Sequence, residues 1–277
     1  MSGRRLLRSV LFTPADRADR MRKALLSAAD VVVLDLEDAV SPDQKEIARK
    51  NVVDLLHEIV AGTTQPYGTV CVRINCMKNT TWGMHDLRSI SAVKCDAVLL
   101  PKVEDVSIVE TAIETLESGT KWEISNKPTS VWVMIETARG VQRAEEIADT
   151  EGVSALIFGS NDLTKDLKSR HTATREPLLY SMSRCILAAR AAGKQVVDGV
   201  HLDINDQNGF AISCEQGRSL GFDGKSLIHP TQIDAANKVN ELIEHPRTYS
   251  TITFRNSCFS LTGDHRQGYL DNIMSTQ

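Results

Sequence analysis

The chain has 277 residues, 42% hydrophobic and 25% charged, which is ordinary globular material with room for one large domain or two small ones. A formal net charge of −4 excludes the basic face that nucleic acid requires, and Arg4, Arg5 and Arg8 are too few to supply one. Six cysteines without a CxxC pair argue for reduced thiols rather than zinc, and no apolar run reaches the roughly 20 residues that span a bilayer, so no membrane partner is expected.

Arg8 to Thr13 (RSVLFT) is the first expected strand, too near the start to leave room for a signal or transit peptide. The expected location is the cytoplasm, or the mitochondrion if a longer precursor exists. Pro14 closes the strand, and Asp16 starts a helix through Ala28 with Met21, Leu25 and Leu26 at helical spacing. Val31 to Leu36 (VVVLDL) reads as a second buried strand that delivers Glu37 and Asp38 to its end, before Pro42 opens a helix to about Val60. Thr69 to Asn75 is the third strand, with Arg73 and Asn75 alternating to one side. A helix over Trp82 to Ser91, a strand over Ala97 to Leu100 ending in Pro101-Lys102, and a helix over Val106 to Leu116 follow; Ser118 to Thr129 reads as a polar loop.

Two apolar runs, Val131 to Ile135 and Ala155 to Phe158, then end abruptly in ETARG and GSND, with a helical span from Gln142 to Thr150 between them. The right-handed crossover rule puts both strand ends on one edge of the sheet, so Glu136 and Asp162 come side by side. Two carboxylates placed so repel unless a cation lies between them, and an all-oxygen pair suits Mg²⁺, with Mn²⁺ as the alternative ion. Taken singly, each could instead cap the helix that follows.

Lys165 to Arg175 reads as a mobile loop, and Glu176-Pro177 starts a helix to Ala192 that stops on Gly193. Gln195 to Val200 is the seventh strand, placing Asp198 near its end; a helix over Gln207 to Leu220 stops at Gly221; Lys225 to Ile228 is the eighth strand; Thr231 to Glu244 is the last helix. Eight strand-then-helix units over roughly 240 residues match a (β/α)₈ TIM barrel. A doubly wound open sheet would need a glycine-rich turn after the first strand, and LFTPADR has none. In such barrels chemistry gathers where strands end, and seven of the eight ends carry charged or polar groups: Glu37 and Asp38, Arg73, Lys102, Glu136, Asp162, Asp198 and His229. Asp35, Glu37 and Asp38 need a counter-charge, for which Arg73 is the obvious donor; its planar fork would equally hold a substrate carboxylate. His229, before a proline, reads as readily as a turn residue.

The motifs RSVLFTPADR, VVVLDLEDAV, VCVRIN, AVLLPKVE, MIETARGV, FGSNDL and LGFDGKSLIHPTQI run in that order from Arg8 to about Asn237. In series they resemble the HpcH/HpaI aldolase and citrate lyase β-subunit family, nearest its malyl-CoA thioesterase and citramalyl-CoA lyase branches. The resemblance implies a TIM barrel over 1–245 that assembles as a homo-oligomer, a trimer or hexamer. It implies Mg²⁺ on Glu136 and Asp162 and a substrate carboxylate on Arg73, with Glu37 and Asp38 ordering water or the metal shell. Phe12, Arg17 and Arg20 would meet coenzyme A. The activity implied is Mg²⁺-dependent cleavage or formation of the carbon–carbon bond of a 3-hydroxyacyl-CoA such as malyl-, citramalyl- or citryl-CoA. The partners are thus an acyl-CoA and a 2-oxo acid. Hydrolysis of malyl-CoA at the same metal site is the alternative, and a free-acid pyruvate aldolase is another. Residues 246–277 do not match the family's lid; Asp264 and Asp271 are the acidic residues there that could replace its carboxylate. A non-catalytic barrel that has lost its lid is the remaining reading.

Overall fold

The computed structural model describes residues 6–240 apart from 79, 94 and 120–127; the expected tail over 246–277, Asp264 and Asp271 therefore lie outside the described residues. The strands are β1 (Ser9–Pro14), β2 (Val31–Asp35), β3 (Thr69–Arg73), β4 (Ala97–Leu100), β5 (Ser130–Ile135), β6 (Val153–Phe158), β7 (Gln195–Asp198) and β8 (Gly224–Leu227). Each pairs in parallel with the next and β8 pairs with β1, so the sheet closes into the expected barrel. The chain can do this because both faces of β1 to β6 are largely apolar, while β7 and β8 add buried polar residues that pair with one another. Val10, Val31, Val33, Cys71, Leu99, Trp132, Ile157 and Val197 fill the inside, while Leu11, Val32, Val72, Val98, Val133 and Leu156 meet the helices outside.

The outer layer comprises α1 (Ala18–Leu25), α2 (Lys45–Val60), α3 (Trp82–Ser91), α4 (Val106–Gly119), α5 (Ala138–Gln142), α6 (Ala144–Asp149), α7 (Ser160–Asp166), α8 (Leu179–Ala191), α9 (Gln207–Leu220) and α10 (Ile233–Asn240). The single helix expected after β5 is two, broken at Arg143, whose guanidinium is drawn to Asp105 and Glu146. Thr137 caps the first by accepting the Gly140 N–H at 3.0 Å.

The loop expected over Lys165 to Arg175 also needs correction. Its first two residues finish α7, and its last is anchored: Arg175 Nη1 donates to both oxygens of Asp198 at 2.8 Å, and Nε donates to Gln216 at 2.7 Å. Arg175 adopts φ 58°, the left-handed region that non-glycine residues seldom occupy, to make that reach. Cys76, Cys95, Cys185 and Cys214 are free thiols. Among the described residues no helix is long and apolar enough to cross a membrane.

Candidate active site and metal centre

Strand alternation decides what faces the barrel mouth. Asp35 follows Val31 and Val33 on the inner face of β2, and Arg73 follows Cys71 on that of β3; Glu136 follows Trp132 and Met134 on β5. These residues, with Phe12, Asp162 and Ser226, line a cavity of about 330 Å³. The β5–β6 register pairs Ile135 with Phe158, which brings Gly159 against Glu136. A Cβ at residue 159 would stand 2.3 Å from the Glu136 Cβ and 2.6 Å from its Oε2, so only glycine lets the carboxylate lie there. Gly159→Ala is expected to push Glu136 out of place, costing about 1–3 kcal/mol of stability in thermal denaturation. The Mg²⁺-induced rise in melting temperature should shrink with it.

The guanidinium of Arg73 is locked by a fork on Asp35, Nε to Oδ1 at 2.7 Å and Nη2 to Oδ2 at 2.5 Å. Nη1, outside that fork, donates to Met134 Sδ at 3.8 Å and lies 3.0 Å from Glu37 Oε2, and the guanidinium carbon lies 5.1 Å from the centre of the Phe12 ring. Burial alone would lower the pKa of Arg73, but Asp35, Glu37 and Glu136 more than reverse this and hold it above its usual value. Glu37, by contrast, is pushed up by burial, against the pull of Arg73 and Lys102.

Lys102 is the residue whose part the sequence did not disclose. It takes φ 51°, and the resulting turn lets its backbone N–H donate to Glu136 Oε1 at 2.8 Å. Its Nζ lies 2.6 Å from Glu37 Oε1, 3.4 Å from Asp38 Oδ1 and 3.2 Å from Asp162 Oδ2. One residue thus touches four carboxylates, Glu136 through its backbone N–H and Glu37, Asp38 and Asp162 through its Nζ. The sequence signal was Pro101-Lys102 at a strand end, which marks a turn but not its left-handed form.

Charge is nevertheless out of balance. Asp35, Glu37, Asp38, Glu136 and Asp162 stand against Arg73 and Lys102, with the buried Lys45 ammonium behind Asp35, Glu37 and Asp38 as a third cation. The consequence falls on Glu136: burial first, then the nearby charge of Glu37, lift its pKa to about 8 despite Arg73 and the Lys102 amide. A carboxyl group lifted by burial and by a like charge is one that a nearby cation would return to its ionised form. Among the described residues no group of three or more His, Cys, Asp or Glu side chains is placed to hold a metal by itself. Mg²⁺ does not need one, because it keeps several waters and is usually bound through one or two carboxylates. The hard oxygen donors, the surplus negative charge and the space that Gly159 leaves at Glu136 Oε2 all fit such an ion.

Not every expected residue gathers here. Arg17 sits at the start of α1 with its side chain 55% exposed, 3.8 Å from Asp19, and is not among the residues that line the cavity; Arg20 is exposed on the same helix. Asp38 lies at the rim, half exposed. His229 caps the turn after β8 by accepting the Thr231 N–H. Asp198 is a correction: Val197 takes the inward position on β7, so Asp198 points out of the barrel and is fully buried against Lys225, whose Nζ donates to it at 2.7 Å.

The (3S)-malyl-CoA thioesterase of Cereibacter sphaeroides (strain ATCC 17023) is 41% identical over 234 residues, covering 84% of this chain and 76% of that protein. The citrate lyase subunit beta of Escherichia coli (strain K12) is 33% identical over 83% of this chain and 75% of its own length. The crystal structure of protein CitE from Mycobacterium tuberculosis in complex with magnesium, acetoacetate and coenzyme A superposes with a TM-score of 0.69 at 34% identity, covering 84% of this chain and 80% of that one. The model of the HpcH/HpaI aldolase/citrate lyase family matches residues 8–230, almost the whole of the closed barrel and every strand end described above. The chain belongs to the HpcH/HpaI aldolase/citrate lyase family.

Proposed function

We propose that this chain is a Mg²⁺-dependent lyase that cleaves or forms the carbon–carbon bond of a small 3-hydroxyacyl-CoA, of the malyl- or citramalyl-CoA kind. The observation that carries this reading is the charge deficit around Glu136, because a cavity lined by carboxylates admits an anionic acid only with a divalent cation in place. Glu136 and Asp162 would hold the ion. Bound there, Mg²⁺ supplies a Lewis acid for an oxygen of the substrate and offsets the local negative charge.

The chain's own residues do the rest. Arg73, fixed in orientation by Asp35, holds the substrate carboxylate with the arm that Asp35 leaves unused. Glu37 Oε2 is buried and faces Arg73 Nη1 at 3.0 Å without a directed hydrogen bond, and burial raises the pKa of its carboxyl group against that ion pair, so it is suited to take a proton from water or a hydroxyl. Phe12 covers one side of the guanidinium, and exposed Arg17 is available to coenzyme A phosphates. Assembly as a trimer or hexamer belongs to the same proposal.

Thioester hydrolysis is the second reading, favoured by the 41% identity to a malyl-CoA thioesterase. Incubation with malyl-CoA and citramalyl-CoA separates the two. A lyase yields acetyl-CoA with glyoxylate or pyruvate, and a hydrolase yields free coenzyme A with the intact hydroxyacid. Either activity should vanish with EDTA and return with Mg²⁺. Turnover that survives chelation would sink the metal assignment, and Mg²⁺ binding without turnover of any acyl-CoA would identify a non-catalytic barrel.

A further inference from the structure

Where β7, β8 and β1 end, the cavity has a different wall. Phe12, Val200 and Ile228 make it apolar, and Ser226 is set among them. Ser226 pairs in register with Val10, a residue of the inner core, so its side chain points into the barrel rather than toward the helices. It is 1% exposed, and its Oγ has no hydrogen-bond partner among the described residues. Most buried polar groups are paired, and a hydroxyl stranded in an apolar wall is costly, so the absence of a protein partner points to a ligand. Packing alone would have been served better by alanine or valine.

β8, which carries Ser226, lies three strands from β5, which carries Glu136, in a closed ring of eight. A molecule that reaches from the Glu136 side toward β8 therefore meets an acidic wall at one end and the Ser226 hydroxyl at the other. We propose that Ser226 is a specificity-determining residue whose hydroxyl donates to an oxygen at the inner end of the small acid bound in the barrel mouth. It thereby selects compact acids with an acceptor there over acids with an alkyl group. The inference rests on the metal-dependent acid site proposed above and deepens it.

Calorimetry on the full chain with saturating Mg²⁺ and oxalate as the probe tests it. Ser226→Ala and Ser226→Val should bind oxalate about tenfold more weakly, the loss of one hydrogen bond to a charged group. Ser226→Thr, which keeps the hydroxyl, should stay close to wild type. Mg²⁺ affinity measured without oxalate should be unchanged in all three, a separation that a general loosening of the barrel would not produce. Oxalate binding to Ser226→Ala at wild-type strength would overturn the inference and leave the metal site standing. Failure of the wild-type chain to bind oxalate with Mg²⁺ present would overturn both.

Discussion

Glu136→Gln is expected to weaken Mn²⁺ binding by roughly a hundredfold or more, since losing even an outer-shell partner costs 10–100-fold at metal sites. Glutamine has the same shape, and its amide oxygen can still accept the Lys102 N–H, so the barrel should fold as before. The charge is what is lost. Calorimetric titration of the metal near neutral pH measures the effect, and a variant that binds Mn²⁺ within a few-fold of wild type would remove Glu136 from the ligand set.

The same variant should reduce a pH dependence. With its pKa lifted to about 8, Glu136 in the metal-free protein holds its proton at neutral pH, and a cation must displace it. Wild-type affinity for Mn²⁺ should therefore rise with pH, by up to about tenfold per unit, and flatten above about 8. Stability of the metal-free protein should move the opposite way. A carboxyl whose folded pKa lies above its unfolded value binds more protons in the native state. Its contribution is full below about 4.3 and is lost as pH rises through about 8. Melting temperature without metal should thus fall across that window, Mg²⁺ should restore it, and Glu136→Gln should show a clearly smaller fall, the remainder coming from Glu37 with its own raised pKa. A flat affinity profile in the wild-type chain would mean that some other group answers for the charge.

What made Glu136, Asp162 and Arg73 legible in the sequence is that each stands where an apolar run stops, and a charge at the end of a buried strand has few places to go. Asp35 and Arg73 were legible as a pair because strand alternation sends both inward from neighbouring strands. Asp198 was not. Val196 and Val197 are both apolar, so QVVD carries no alternation to say which face is inside, and a one-residue change of parity reverses every side chain. The register with β8, Asp198 against Lys225, sets the answer, and it is a property of the closed ring rather than of the segment. Ser226 was hidden in KSLI for the same reason. Lys102 and Arg175 were hidden by backbone, since both adopt left-handed conformations in which a non-glycine residue is held only by its contacts. The run of polar residues before Arg175 suggested mobility because composition does not show that its last residue ends on a buried carboxylate.

That carboxylate carries the other large effect. Asp198 is fully buried behind the barrel wall, with Lys225 Nζ at 2.7 Å, Arg175 Nη1 at 2.8 Å from both oxygens, and Gly217 so close that a Cβ there would stand 2.6 Å from Oδ2. Asp198→Asn leaves two cations facing each other across a neutral amide, one of them, Lys225, only 1% exposed. Breaking a buried pair in this way costs about 3–5 kcal/mol, which for a domain of this size is a fall in melting temperature of roughly 10 °C. Lys225→Met should cost less, because Asp198 keeps Arg175 as its partner. The two losses can also be told apart by pH. Burial, with Arg175 nearby, already pulls the pKa of Lys225 below its usual value, and without Asp198 the main opposition to that pull is gone. A depressed lysine pKa means the unfolded chain binds more protons, so stability recovers as pH rises toward the unfolded pKa near 10.4. The deficit of Asp198→Asn relative to wild type should accordingly narrow between about pH 7 and about pH 10, while that of Lys225→Met should show no such recovery. Equal losses for the two variants, or a deficit for Asp198→Asn under about 1 kcal/mol, would show that the cluster fills space without holding the wall together.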